Sequence, residues 1–490
     1  MSDHGHGPAL DDLRRRARRI WEAALAAADP AAAVGRALDQ RPLQGDGGWE
    51  LLAIGKAAGA MARAAVERAG VGLRRVLVVT EPSQVHAVES ALAEVLGTGP
   101  ADRLRVLAGG HPLPDRDSER AGRAAEELVA GSRAPLLVLL SGGGSAQLCA
   151  PATGAPAAGG PAAGLTLDDL VETTARLQAA GADVHQLNCV RRHLSRVKGG
   201  GLGHRAAGRE VRVLVLSDVL GDRLEDVASG PFFGDPTRFA DALEVCRDLG
   251  VVAALPEAVV RRLEAGARGE LDENPAPAEL RGVEHEVVGS LARSVEAAMA
   301  RAVELGCEGS RLRGWITGEA RTAGALLCDR VLGDRVLGDR VLADPGLSEG
   351  LPPGSVLAGA PKFGVDAEDE RRAPLALIGG GETVVTVTGD GVGGRAQELA
   401  LGFASAAAGR IERPWALLAA GTDGRDGPGD AAGALVDART LERARARGLD
   451  LREILDRNDS SRLLRATSDL LVTGPTGTNV GDVVILLLGW

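Results

Sequence analysis

Tyrosine is absent from the 490 residues, and phenylalanine and tryptophan contribute only five each. Lysine occurs at Lys56, Lys198 and Lys362 and nowhere else, so arginine is the generic cation. In such a chain a surviving lysine either marks a place that needs a compact ammonium or persists by chance. An excess of positive charge is also missing. The formal net charge of −11 argues against non-specific nucleic-acid or anionic-membrane binding, so an anionic substrate would need a local cationic pocket. The five cysteines (Cys149, Cys189, Cys246, Cys307, Cys328) are odd in number and form no CxxC pair. Neither a disulfide framework nor a zinc site follows, and a reducing cytoplasm fits best. No apolar run reaches the ~18 residues of a membrane helix. The first eight residues, polar and rich in His and Gly, do not read as a secretory leader. A cytoplasmic protein is expected.

What is present alternates. Short apolar runs at 51–54, 76–80, 104–107, 136–140 and 211–217 read as strands, and amphipathic stretches between them as helices. That rhythm predicts a mostly parallel sheet covered on both faces. Asp29-Pro30 starts a helix, with proline at its first position. Residues 151–164 read as a surface loop, 237–264 as one helical stretch, 265–282 as a polar linker, and 286–288 as a further strand. Asp-Arg-Val-Leu recurs three times within 329–344 at a five-residue period, too short for a solenoid and read as a local duplication. A second α/β region starts at Leu375, with strands at 375–378, 383–388, 415–419, 470–473 and 483–488. The chain is expected to be α/β in two domains, at 9–282 and 373–490, with 283–372 connecting them and carrying an insertion at 329–344.

Polar clusters stand where strands end, which is where open α/β sheets bind ligands. Ser141-Gly142-Gly143-Gly144-Ser145 follows the 136–140 strand. Three glycines allow a tight turn that aims several N–H groups at one anion, usually phosphate; a flexible turn is the plainer alternative. Lys56 opens a helix directly after the 51–54 strand. Asn188 to Gly201 gathers Arg191, Arg192, His193, Arg196 and Lys198, ending in Lys198-Gly199-Gly-Gly, either as an anion pocket or as a solvated basic face. Asp218 and Asp222 follow the 211–217 strand, placed to ligate Mg²⁺, to receive a hydroxyl proton, or merely to cap. Gly389 to Gly394 formally matches GxGxxG, but the next acidic residue past the following strand, Asp423, lies too far on for a dinucleotide site. Gly379-Gly-Gly-Glu382 is a Gly-rich cluster that precedes the 383–388 strand. Asp423 and Asp426 sit in another loop.

The segments AIGKAAGAM from Ala53, GGHPLPD from Gly109, LSGGGSA from Leu140 and NCVRRHLSRVKGGGL from Asn188 follow one another in the order found in one family. So do SDVLGD from Ser217, ASGPFFGDPT from Ala228, TGEAR from Thr317, GGGETVVTVTGDGVGGRAQELAL from Gly379, AAGTDGRDGP from Ala419 and TGPTGTNVGD from Thr473. Taken together they resemble the glycerate 2-kinase family with a C-terminal MOFRL domain. The resemblance implies a Rossmann-like N-terminal domain, a smaller C-terminal α/β domain and a cleft between them. It also implies ATP-dependent phosphorylation of D-glycerate at its 2-hydroxyl with Mg²⁺.

Lys56 and Arg395 match the family's catalytic lysine and arginine, and Ser141 to Ser145 match its nucleotide loop. Asp218 is expected as base or, with Asp222, as metal ligand. Lys198 and Gly199 are expected at the nucleotide, and Lys56, Arg191, His193 and Asp423 at the substrate. Where the family carries asparagine after Gly-Gly-Arg, this chain has Ala396. The alternatives are an NAD(P)H-dependent hydroxypyruvate or tartronate reductase, or a non-catalytic nucleotide-binding relative. The expected partners are small molecules only, without nucleic acid or membrane, in a monomer or homodimer.

Overall fold

The computed structural model describes residues 6–44, 48–97, 103–153, 164–332 and 373–489. Most of the 151–164 loop and all but the start of the Asp-Arg-Val-Leu repeat lie outside them, as does Lys362. The chain forms two compact units, Pro30–Gly289 and Met1–Asp29 with Ser290–Trp490. Helix His6–Ala27 thus belongs with the second unit, and the first unit runs on to Gly289.

The first unit is built on strands β1 (Trp49–Ile54), β2 (Leu73–Thr80), β3 (Leu104–Ala108), β4 (Leu136–Leu140), β5 (Val211–Leu216) and β6 (Val283–Gly289). They pair in the order β3-β2-β1-β4-β5-β6, and every neighbouring pair is parallel. Each residue of β1, β4 and β5 is buried, as continuous apolar runs covered on both faces must be. The order reverses between β1 and β4. That is the switch point of a doubly wound sheet, where the crossover connections part and leave a crevice at the carboxyl ends of the strands. Helix Arg116–Ala130, held at its start by an Asp115–Ser118 capping box, leads into β4. The stretch expected as one helix over 237–264 is two, Phe239–Asp248 and Glu257–Ala267. Gly250 at φ +66° and Pro256 break it.

The second unit holds β7 (Glu308–Arg311), β8 (Ile316–Glu319), β9 (Leu375–Val384), β10 (Trp415–Gly421), β11 (Gly433–Asp437), β12 (Leu470–Leu471) and β13 (Asp482–Leu488). The order is β12-β11-β10-β13-β9-β7, with β8 beside β9. It is a mixed sheet, antiparallel from β12 through β9 and parallel where β7 and β8 meet β9.

The strands expected at 375–378 and 383–388 are not separate, and Gly379 to Gly381 do not divide them. A single strand, β9, runs unbroken through the glycines to Val384. Gly379, Gly380 and Gly381 pair with Val484, Val483 and Asp482 of β13. A Cβ on Gly381 would stand 2.0 Å from the Ile316 carbonyl oxygen, and one on Gly380 2.7 Å from Leu291 Cδ1. The glycines are there because neighbours press on both sides of the strand, not because the chain turns. Helix His6–Ala27 joins this unit through Arg14, which binds Asp437 at 2.6 Å and Asp469 at 2.9 Å. Phe403 meets Trp415 edge-on at 5.1 Å in the core beneath. Among the described residues no helix is long and apolar enough to cross a membrane.

Candidate active site

The carboxyl ends of β1 and β4, side by side at the switch point, carry Gly55-Lys56 and Ser141 to Ser145. Ser141 is buried and ties them together: its Oγ accepts the Ala57 N–H at 3.1 Å and donates to the Ile54 carbonyl at 3.4 Å. The Lys56 N–H donates to the Gly142 carbonyl at 2.9 Å. Gly143 takes a left-handed φ of +85°, closed to most L-residues. Among the described residues the N–H groups of Gly142, Gly143, Gly144 and Ser145 meet no acceptor. Successive bare amides in a tight turn form an anion-binding nest. The Lys56 side chain lies against Gly143, is exposed, and has no carboxylate partner among the described residues.

Two more side chains border this nest. A Cβ on Gly143 would meet His111 Cδ2 at 3.4 Å, and one on Gly142 would meet Asp218 Oδ2 at 2.0 Å. His111, in the GGHPLPD segment, is absent from the expected site residues. Burial and then the Lys56 charge hold its imidazole below the ordinary histidine pKa, so it faces the site neutral. Asp222 follows Asp218 in a turn closed by its N–H on the Val219 carbonyl at 3.1 Å, with φ at +54°.

A strained segment supports the loop from behind. Ala228, Ser229 and Gly230 are left-handed in succession, with φ of +53°, +58° and +67°. For a non-glycine residue this costs about 1–2 kcal/mol each, and such strain persists only where surroundings over-determine it. Here they do. The hydroxyls of Ser145 and Ser229 bond at 2.8 Å, Ser229 donates to Asn188 Oδ1 at 2.7 Å, and Asn188 Nδ2 donates to Asp226 Oδ1 at 3.1 Å. Asp226 also receives His185 Nδ1 at 2.6 Å and the Arg192 guanidinium. Burial works to raise its pKa, but His185 and Arg192 hold it below the ordinary aspartate value. The Ala228 methyl fills the space where Gly144 would carry a Cβ, at 2.7 Å.

The basic cluster separates in the structure. Lys198 is buried and donates to the carbonyls of Ser145 at 2.6 Å and Leu148 at 2.8 Å, clamping the short helix that continues the nest. The Gly199 N–H is taken by the Ser229 carbonyl at 3.0 Å. His193 is interior, bonded to the Cys189 carbonyl at 2.8 Å and packed on Phe239 with ring centroids 4.6 Å apart. Arg191 borders a pocket with Ser145 and Lys198. The solvated-face alternative therefore fails for Arg192, His193 and Lys198, all of which are buried.

In the second unit Arg395 begins helix Arg395–Ala407 and grips Asp482 with two bonds, Nε–Oδ2 at 2.7 Å and Nη2–Oδ1 at 3.0 Å. A third bond reaches Glu382 at 2.6 Å. Burial raises the Asp482 pKa to about 6 against the pull of Arg395. Burial opposes the charge on Arg395, yet Asp482 and Glu382 outweigh it and hold the guanidinium above its ordinary value. Asp423 and Asp482 share the end of β10, where a Cβ on Gly421 would lie 3.1 Å and 3.4 Å from their Oδ1 atoms.

Asp426 caps the helix from a distant loop, accepting the Ala396 N–H at 3.0 Å and the Gln397 N–H at 2.9 Å. The amides that a dinucleotide pyrophosphate would use are thus occupied. The glycines of the GxGxxG match pack instead against residues 457–460 and Asp426. Ala396 is buried in the core of this unit.

Residues 16–264 match a domain of unknown function, DUF4147, and residues 375–482 match the MOFRL family. The D-glycerate 2-kinase of Thermotoga maritima is 36% identical over 440 residues, 89% of this chain and 90% of that protein. The chain belongs to the glycerate kinase family. The glycerate 2-kinase of Pyrococcus horikoshii is 34% identical, covering 97% of this chain and 98% of its own length. A putative hydroxypyruvate reductase of Agrobacterium vitis is 36% identical, covering 96% of this chain and 94% of its own length. The crystal structure of a Thermotoga maritima glycerate kinase matches with a TM-score of 0.76 at 35% identity, over 98% of this chain and 100% of that one. Membership of the glycerate kinase family makes this chain a phosphotransferase and accounts for the α/β architecture.

Proposed function

We propose that the enzyme transfers the γ-phosphoryl group of ATP to the 2-hydroxyl of D-glycerate, releasing ADP and 2-phosphoglycerate. The observation that carries the reading is the nest of amides at Gly142 to Ser145 with the Lys56 side chain beside it, none of them with a partner among the described residues, at the sheet's switch point. Phosphoryl transfer asks little covalent chemistry of a protein; positioning and charge neutralisation dominate. The nest binds phosphate oxygens, and Lys56 neutralises charge on the group in flight. The 2-hydroxyl oxygen forms the new bond to phosphorus, the bond from phosphorus to the β,γ-bridging oxygen breaks, and the hydroxyl proton passes to Asp218.

No group of three or more metal-ligating side chains occurs among the described residues. Mg²⁺ in kinases commonly takes one or two carboxylates and completes its shell with phosphate oxygens and water, so the Asp218–Asp222 turn is compatible with it. Held by Asp218 and Asp222, the ion would supply positive charge that offsets the charge of the phosphates.

The test is ADP release in the presence of ATP, Mg²⁺ and D-glycerate, with phosphorus NMR of the product. Glycerate-dependent ADP and a 2-phosphoglycerate signal are expected. ATP binding without turnover, or NADH oxidation by hydroxypyruvate, would overturn the reading.

A further inference from the structure

Arg191 and Arg192 are neighbours on helix Val184–His193 with opposite circumstances. Arg192 is engaged through both of its Nη atoms, with Asp226, with Asp235 at 3.2 Å and with the Glu225 carbonyl at 3.2 Å. Arg191 is half-buried, and among the described residues its guanidinium has no acceptor at all. In a chain of net charge −11 such a cation stands out, because a partly buried charge without a counter-ion is costly. It borders a pocket whose lining includes Pro112, Ser145, Leu170, Thr174 and Lys198 and, among the described residues, no carboxylate. The Lys198 ammonium makes two bonds to carbonyls and keeps a third donor. Burial lowers the pKa of both cations, that of Lys198 to about 8 with the Arg191 charge contributing. An anion in the pocket would reverse that effect. The free space is about 20 Å³, room for one or two water-sized groups and too little for a triphosphate.

We infer that this pocket is the carboxylate subsite of the phosphoryl acceptor, with Arg191 as its counter-ion, and that it selects small 2-hydroxycarboxylates over neutral polyols. The inference rests on the kinase reading above. Ser145 links the two places: its carbonyl is held by Lys198 at the pocket, and its N–H belongs to the nest. A 2-hydroxy acid anchored by its carboxylate carries its hydroxyl on the very next carbon. The group nearest the anchor is then the one offered to the phosphoryl, and a hydroxyl further along the chain is not.

The experiment is calorimetric titration of D-glycerate, glyceramide and ADP into the wild type, Arg191→Gln and Arg191→Lys. D-glycerate binding should weaken about tenfold or more in Arg191→Gln, the scale of a charge-assisted hydrogen bond. It should recover in part in Arg191→Lys, while glyceramide binding barely changes. Unaltered ADP binding would show the variants folded. An unchanged D-glycerate Kd in Arg191→Gln would overturn the inference, and so would a loss confined to ADP, which would assign the pocket to a nucleotide phosphate. Arg191-dependent glycerate binding without any ADP release would overturn the kinase reading alone.

Discussion

Asp482 illustrates how one carboxylate can carry a pH signature. Burial raises its pKa from 3.8 to about 6, so between those values the folded state keeps a proton that the unfolded chain releases. Folding stability from this group is therefore greatest below pH 3.8 and is lost as pH rises through about 6. The melting temperature of the wild type relative to Asp482→Asn should fall between pH 4 and pH 7, read by calorimetry at matched ionic strength. A relative Tm that climbs over the same interval would mean that the two bonds from Arg395 outweigh burial.

The residues legible in the sequence, Lys56 and Ser141 to Ser145, announce themselves through local composition at a strand end. Asp482, His111 and the Asn188–Ser229 chain do not, because their meaning comes from partners far along the chain. Apart from closing the TGPTGTNVGD segment, Asp482 stands out only as an acid opening an otherwise apolar strand.

Strand β9 shows the same dependence on distant partners at the scale of an element. Three glycines in a row read as a turn when only propensity is considered, since glycine disfavours strands. Close approach by β8 and by Leu291 reverses that preference, and no local pattern reveals it. Gly381→Ala should destabilise the protein by about 1–3 kcal/mol, the usual cost of overpacking, because its Cβ would collide with the Ile316 backbone. Gly72→Ala, with no atom within 4 Å of the added methyl, should stay within about 0.5 kcal/mol of the wild type. Chemical denaturation of both variants separates a packing role from a general intolerance of glycine replacement. Strands β7, β8 and β11 leave little trace in the sequence pattern: the first two are four residues long and partly exposed, and the last is five residues beginning with glycine.

Across the whole molecule, the first sheet divides its labours between its ends. The chemistry-bearing groups follow the carboxyl ends of β1, β4 and β5. Near the amino ends, Glu50 is buried and pairs with Arg209 at 2.8 Å and Arg75 at 2.7 Å. Removing one partner of a buried ion pair typically costs about 3–5 kcal/mol. Glu50→Ala should accordingly lower Tm markedly while leaving the KM for D-glycerate in the surviving folded enzyme unchanged. The parallel sheet of this unit is legible in the alternation of apolar runs and amphipathic stretches. Its strand order, and the return of helix His6–Ala27 to the second unit, depend on long-range contacts such as Arg14 with Asp437 and Asp469, which a linear pattern does not encode.

The proposed chemistry depends above all on Lys56 as the cation at the amide nest. Its most direct test is the kcat of Lys56→Ala for glycerate-dependent ADP release, measured at saturating ATP and D-glycerate. Loss of one preorganised charge-stabilising group predicts a fall of about a hundredfold or more in a variant whose Tm matches the wild type. A kcat within a factor of two of the wild type (with the fold intact) would contradict the assignment of phosphoryl transfer to this switch point.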